Sequence, residues 1–308
     1  RRPVEPDPVR TGVGKGIAIL AAPICGLACA KFPFNADIRP LWVACATLER
    51  CIDMMSVSDL SEFSYSVLQQ IAEQKVRVHC LTNTVAEPIT ANVLLSLGAV
   101  PSLSSDPDEI PDFLRTAQSL MVNLGTPGTD RFLARRMAAS SANNMGMPWV
   151  LDPVMVDRSG IRRAEAIRMI KLKPTVVRCN AGEASTLAET LEEFSGILAG
   201  TGAVDRLRSH DFKASLTVGH PLLPKVTATG CALSAVVAAF LACHREDRFQ
   251  ATLAALAAFG AAGAYAGERA QGPGSFAVAL LDAFPNLTAE FIEHSIEALH
   301  VERVERRA

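Results

Sequence analysis

Five small residues, Thr227, Ala228, Thr229, Gly230 and Cys231, stand directly before a long Ala-rich stretch of helical character, residues 232–243. A chain that enters a helix this way leaves several backbone N–H groups unbonded, and the helix dipole adds partial positive charge there. Such an end holds anions, and a phosphoryl group in transfer is a common one. Other polar residues follow short β-type runs. Asp152 comes after Trp149-Val150-Leu151 and is stiffened by Pro153. Arg178, Asn180 and Glu183 come after Thr175-Val176-Val177, and Thr82 and Asn83 after residues 76–81. Two carboxylates can serve Mg²⁺, directly or through water, and a guanidinium can grip phosphate oxygens. Taken singly, each is more often a satisfied loop residue or a helix cap. Taken together, they are the set that phosphoryl transfer needs, where catalysis rests on placement and charge.

These residues need a parallel sheet behind them, because ligands in such folds bind beyond the carboxyl ends of the strands. Regular signals begin at Ser56, where Ser56 and Asp59 mark the start of a capped amphipathic helix that runs over residues 61–74. Extended runs 76–81, 100–103, 119–124, 149–154 and 175–178 then alternate with helical stretches 89–97, 107–117, 130–144 and 164–172, and Gly98 stands at a C-terminal stop. This predicts an α/β fold with a central, mainly parallel sheet and helices on both faces. Between Glu183 and Thr201 a single helix over roughly residues 185–199 is expected. Residues 204–207 and 214–218, around Ser209-His210-Asp211, read as a hairpin. The stretches 232–243 and 250–269 are nearly uncharged and Ala-rich, so both helices belong inside the fold. Residues 276–283 and 289–299 close the chain as helices. Residues 1–60 carry several prolines, four of the eight cysteines and no clear periodicity. They form an N-terminal appendage of uncertain order, which leaves 61–308 as the folded domain.

Composition excludes several alternatives. The chain has 308 residues, 30 basic and 32 acidic, with 6% aromatics. There is neither a basic excess for a nucleic-acid footprint nor a supply of rings for base stacking. The eight cysteines include no CxxC pair and no companion His at zinc spacing, which reads as reduced thiols in a cytoplasmic setting. Residues 16–30 are uncharged and apolar but too short to span a bilayer, so no membrane partner is expected. With basic residues before the run and Ala28-Cys29-Ala30 at its end, it reads equally as a targeting segment or as an ordinary buried strand or helix. His79, in a β-type run, and His220, in a Gly-His-Pro turn, read as structural.

Many of these blocks resemble the hydroxyethylthiazole kinase family. The similarity runs in order through Val78-His-Cys-Leu-Thr-Asn83, Asn123-Leu-Gly-Thr126, Leu151-Asp-Pro-Val154, Lys173-Pro-Thr-Val-Val-Arg178, Asn180-Ala-Gly-Glu183, Thr201-Gly202, residues 226–231 and Gly272-Pro-Gly-Ser-Phe276. It covers about residues 61 to 290. The resemblance implies a ribokinase-like fold, a homotrimer with active sites between subunits, and phosphorylation of a thiazole alcohol by ATP with Mg²⁺ in thiamine synthesis. It implies that Asp152 and Glu183 organise Mg²⁺, and that Arg178, Asn180, Thr201 and Gly202 lie at the ATP phosphates. Gly230 would form the anion hole, while Asn83 and the backbone near Leu103 and Ala228 would hold the thiazole alcohol. Cys231 takes the position where related ribokinase-like enzymes carry an Asp as general base. A thiol in the first turn of a helix has a route to a lowered pKa, so Cys231 is expected to accept or orient the hydroxyl proton.

The chain departs from the family pattern in three places. Met155 stands where glycine usually follows Asp-Pro-Val, which threatens the loop geometry, and the Arg expected slightly later is matched by Arg162. Ala228 replaces a glycine, a change expected to be minor. The segment from Glu183 to Thr201 is short, which removes a central strand unless residues 197–198 or the N-terminal segment fill the gap. That gap leaves open a non-catalytic binding protein on a kinase fold. The phosphate machinery alone would also serve a kinase for another small alcohol.

Overall fold

The computed structural model describes residues 55–304, so the expected appendage lies outside the described residues except for 55–60. Helix α1, Val57–Gln74, begins at a capping box: Ser56 Oγ accepts from Asp59 N, and Ser56 N donates to Asp59 Oδ2, both at 3.1 Å. Strand and helix then alternate through β1 (Arg77–Leu81), α2 (Glu87–Ser96), β2 (Val100–Ser102), α3 (Ile110–Thr116), β3 (Ser119–Asn123), α4 (Thr129–Asn144), β4 (Trp149–Asp152), α5 (Gly160–Lys171) and β5 (Val176–Asn180). Two short helices, α6 (Ala181–Thr186) and α7 (Ala188–Glu192), lead to β6 (Ile197–Thr201). The hairpin β7 (Asp205–Arg208) and β8 (Phe212–Val218) precedes helices α8 (Thr229–Cys243), α9 (Arg248–Arg269), α10 (Pro273–Ala283) and α11 (Ala289–Ser295). Strand β9 (Ile296–Arg303) closes the described chain.

The nine strands form one sheet in the order β2-β1-β3-β4-β5-β6-β7-β8-β9, parallel through β6 and antiparallel beyond it. Side chains on a strand alternate between its faces. Val78, Cys80, Met121, Val150 and Val176 therefore pack into one core with α1, α2, α8, α9 and α10. Leu81, Leu120, Val122, Leu151 and Val177 pack into the other with α3, α4 and α5. Helix α9 is long and apolar enough to cross a membrane by length and composition, but most of its surface is buried in the first core.

Two expectations are overturned. Residues 185–199 do not form one helix. The Ser195-Gly196 breaker ends helical structure early, and a Cβ at Gly196 would lie 2.8 Å from the Pro174 carbonyl oxygen. Ile197–Thr201 then pairs in parallel with β5, so the short segment still supplies its strand. Residues 289–299 are also not a continuous helix. Helix α11 stops at Ser295, and Ile296–Arg303 pairs along the open edge of β8. Glu, Ala and Leu favour a helix locally, but an unpaired strand edge offers this segment a full ladder of hydrogen bonds.

Among the described residues, five other than glycine hold positive φ, and three of them, Thr126 (46°), Met155 (58°) and Ala228 (64°), lie in loops at the carboxyl ends of the strands. The missing glycine at 155 thus does not block the loop; Met155 adopts the left-handed conformation instead. The change at 228 also carries a cost, since Ala228 meets the same constraint. Each such residue costs about 1–2 kcal/mol. Because Met155 is 55% exposed and loses little packing when truncated, Met155→Gly should raise the melting temperature by about 1–3 °C. Circular dichroism measures this, and an equal fall would mean that the side chain contributes more than the strain costs.

Candidate active site

The alternation of faces decides which strand-end residues meet. Asn123, Asp152, Arg178 and Thr201 all fall on the face covered by α8, and Asn123 and Asp152 are register partners across β3 and β4. Helix α8 begins at Thr229, two residues before Cys231, so this thiol sits within its first turn. The N-cap Ala228 offers no side-chain acceptor, which leaves the first N–H groups of the helix for a ligand. Asn83 follows β1, which is flanked by β2 and β3 where the strand order reverses, the usual ligand crevice of an open α/β sheet.

Asp152 is fully buried. Its Oδ2 accepts from Asn123 Nδ2 at 2.7 Å, while its Oδ1 has no hydrogen-bond partner and lies 3.6 Å from Arg178 Nη1. Cys231 Sγ accepts from Asn123 Nδ2 at 3.2 Å and Asn83 Nδ2 at 3.6 Å, beside the Asp152 carboxylate. Burial, and then the Asp152 charge, push the thiol well above its ordinary range, against the opposing effect of Arg178. The expected lowering by the helix dipole is overridden, because a partial charge at a helix end is weaker than desolvation plus a full neighbouring charge.

Arg178 reaches across the head of α8. Its Nη2 donates to Thr201 Oγ1 at 2.7 Å, and a Cβ at Gly230 would lie 2.7 Å from Nη2 and 2.8 Å from Nη1. Gly230 is therefore what lets the guanidinium lie against the helix. Burial alone would lower the Arg178 pKa, but the charges of Asp152 and Glu183 outweigh it and hold it above the ordinary value. Glu183 is buried within the first turn of α6. Its Oε2 accepts from Asn180 N at 2.9 Å and its Oε1 from Met155 N at 2.8 Å. Burial, and then Asp152, push its carboxyl up.

Arg178, Asn180, Thr201, Gly202 and Gly230 line one cavity of about 710 Å³, walled on its apolar side by Leu223, Leu233, Leu256 and Phe259. Asp152, Glu183, Cys231, Asn83 and Ala228 lie outside the lining. Leu103 follows β2 and packs against the first core. Of the two histidines, His79 is buried, stacked on Phe113 and bonded to Ser102, while His220 stacks on Phe276 and lines the cavity. A second cavity, of about 430 Å³, opens at the opposite end of the strands near Lys173 and Gly196 and contains none of these residues.

Asp152 and Glu183 suit a hard cation. One buried carboxylate oxygen lacks a partner, and each Glu183 oxygen has only one. No group of three or more His, Cys, Asp or Glu side chains converges among the described residues. Two carboxylates without a closed cage fit Mg²⁺, which keeps water and shares its coordination with phosphate oxygens.

Two residues of the site do not stand out by type. Asn123 ends β3 as Asp152 ends β4, and that shared strand-end position is the signal for it. Asp205 lines the cavity, accepts from Gly202 N at 2.9 Å and is raised by burial to about 6. A carboxyl raised in the folded state contributes stability below its ordinary value of 3.8 and loses it as pH rises through about 6. The melting temperature of Asp205→Asn, which keeps an acceptor for Gly202, should therefore gain on the parent between pH 4 and 6. A difference that stays constant with pH would reject the buried carboxyl. Gly230→Ala should keep helix α8, since alanine favours a helix, while pushing the Arg178 guanidinium from its place. It should therefore cut protection by Mg²⁺-ATP against heating, with apparent affinity down about tenfold. Unchanged protection would mean that Arg178 does not clamp the phosphates.

Residues 68–200 and 189–290 match the model of the hydroxyethylthiazole kinase family, and the two stretches overlap at 189–200, the short segment before Thr201. A hydroxyethylthiazole kinase of Rhizobium etli (strain CIAT 652) is 40% identical over 250 residues, covering 74% of this chain and 97% of the relative. One of Cereibacter sphaeroides (strain ATCC 17023) is 41% identical over 239 residues, covering 70% and 90%. Among solved structures, a hydroxyethylthiazole kinase protein from Pyrococcus horikoshii OT3 superposes with a TM-score of 0.73 at 32% identity, over 79% of this chain and 99% of that one. A ribokinase-like superfamily protein from Enterococcus faecalis V583 shares the fold, with a TM-score of 0.55 at 11% identity over 74% and 94%. The chain belongs to the hydroxyethylthiazole kinase family and has its ribokinase-like fold.

Proposed function

We propose that this chain transfers the γ-phosphoryl group of ATP to the hydroxyl of 5-(2-hydroxyethyl)-4-methylthiazole, in a Mg²⁺-dependent step of thiamine synthesis. The observation that carries this reading is the meeting of Asp152, Arg178 and Cys231 at the head of α8, beside a cavity large enough for a nucleotide. The apolar wall receives the base, and Arg178 with the first N–H groups of α8 holds the phosphates. Asp152 and Glu183 would hold Mg²⁺, which neutralises charge on the phosphate oxygens when bound. Cys231 faces the alcohol. As a thiol whose proton is hard to remove, it orients the hydroxyl for attack rather than standing as a preformed thiolate. We further propose a homotrimer with its sites between copies. Val85, Leu133 and Ile161 are all more than half exposed and lie near the carboxyl ends of the strands, an apolar set suited to a second copy.

The deciding measurement is ATP consumption with and without the thiazole alcohol, with the product identified by mass. Thiazole-dependent phosphorylation is expected; no turnover from cooperatively melting protein would overturn the reading. Cys231→Ser should lose most of kcat. Cys231→Asp should retain or exceed it, because a carboxylate offers a base without first removing a thiol proton. Parent-like turnover in Cys231→Ala would remove Cys231 from the mechanism. Asp152→Asn and Glu183→Gln should each impair use of Mg²⁺-ATP more than binding of the alcohol. Sedimentation at micromolar concentration should give three times the chain mass, and a monomer would reject the trimer.

A further inference from the structure

Three side chains around the proposed reaction centre, Asp152, Cys231 and Asn83, converge on a fourth. Asn123 is fully buried at the end of β3 and uses both halves of its amide. Its Nδ2 donates to Asp152 Oδ2 at 2.7 Å and to Cys231 Sγ at 3.2 Å. Its Oδ1 accepts from Asn83 Nδ2 at 2.9 Å and from Gly125 N at 2.8 Å.

The orientation of this amide is fixed by the backbone. Gly125 N can only donate, so the atom facing it must be the oxygen of Asn123. Asn83 is fixed in the same way, because its Oδ1 accepts from Val85 N and Ala86 N, both at 3.1 Å. Its Nδ2 is thereby turned toward Asn123 and the sulfur. Main-chain N–H groups of two loops thus set Asn83 and Asn123, and Asn123 in turn sets the carboxylate and the thiol. Gly125 is needed for the approach, since a Cβ there would lie 2.6 Å from Asn83 Cβ and 2.9 Å from Asn123 Oδ1.

We propose that Asn123 is the positioning residue of the phosphoryl-transfer centre, locking Asp152 and Cys231 in one mutual geometry through its two N–H donors. The inference rests on the reading of the site as an alcohol kinase. Asn123 lines no part of the nucleotide cavity, and Arg178 is held there by Thr201 instead. Loss of Asn123 should therefore disturb the chemical step and leave ATP binding largely intact.

Two substitutions separate positioning from a purely structural role. Asn123→Ala removes all four bonds. Asn123→Asp keeps the shape and both accepting bonds, but with one O–H at most it cannot donate to both Asp152 and Cys231. Both variants should lose about 100-fold in kcat, the scale of a displaced reacting group, while KM for ATP stays within about threefold. Asn123→Asp decides the matter if Asn123→Ala does not fold. A readout independent of turnover is the iodoacetamide alkylation rate of Cys231, located by peptide mass, which should fall in both variants, because only the thiolate reacts and the sulfur loses the donor that favours it. Parent-like kcat or alkylation in Asn123→Asp, or a loss confined to KM for ATP, would overturn the inference. Absence of turnover in the parent would instead count against the kinase reading and leave alkylation to decide the role of Asn123.

Discussion

A guanidinium almost wholly withdrawn from water has to be balanced, and the geometry of this site follows from how Arg178 is balanced. Its side chain is 12% exposed and faces the fully buried Asp152 at 3.6 Å. Desolvating such a pair costs several kcal/mol per ion, which their attraction recovers only with further hydrogen bonds around both groups. Thr201 supplies one bond on the arginine side, and Asn123 supplies one on the carboxylate side. The Nε of Arg178 and the Oδ1 of Asp152 have no hydrogen-bond partner. Those two groups, one a donor and one an acceptor, are what the proposed triphosphate and its cation would satisfy.

The rim around this pair is held under tension. Thr126, Met155 and Ala228 belong to three separate loops, yet each adopts a conformation that L residues avoid. Met155 shows the reason most directly, because its left-handed backbone goes with an N–H donated to Glu183 Oε1. The loop takes on strain in exchange for fixing a carboxylate. The two glycines missing from the family pattern thus change the cost of the geometry and leave its form intact.

Much of the fold could be read from residue order. Parallel strands β1 to β5 each show a short apolar run with a polar residue at its carboxyl end, and period-two alternation then puts Asn123, Asp152 and Arg178 on one face. β6 and β9 were not legible in that way. Ile197–Thr201 is five residues long with two glycine-adjacent small side chains, too little for a periodic signal, and its identity as a strand comes from the vacant edge of β5. Ile296–Arg303 has the local preference of a helix and becomes a strand only through β8. The thiol of Cys231 was misread for a related reason: its place at a helix start is local, whereas its burial beside Asp152 is a property of the packed core. Asn123 was legible by position, and its role as a four-bond junction required the register of β3 against β4.

The last strand has a consequence for how the protein is made. β9 pairs along β8, and its Glu297 forms part of the wall of the 710 Å³ cavity. A ribosome that has translated only as far as Ser295 has already made every residue of the polar cluster from Asp152 to Cys231. The edge of β8 nevertheless still faces water. Strand-to-strand contacts across some eighty residues are among the slowest to form, so they close late. A nascent chain in which β9 has not yet paired therefore carries the head of α8 beside a cavity whose Glu297 wall is still missing.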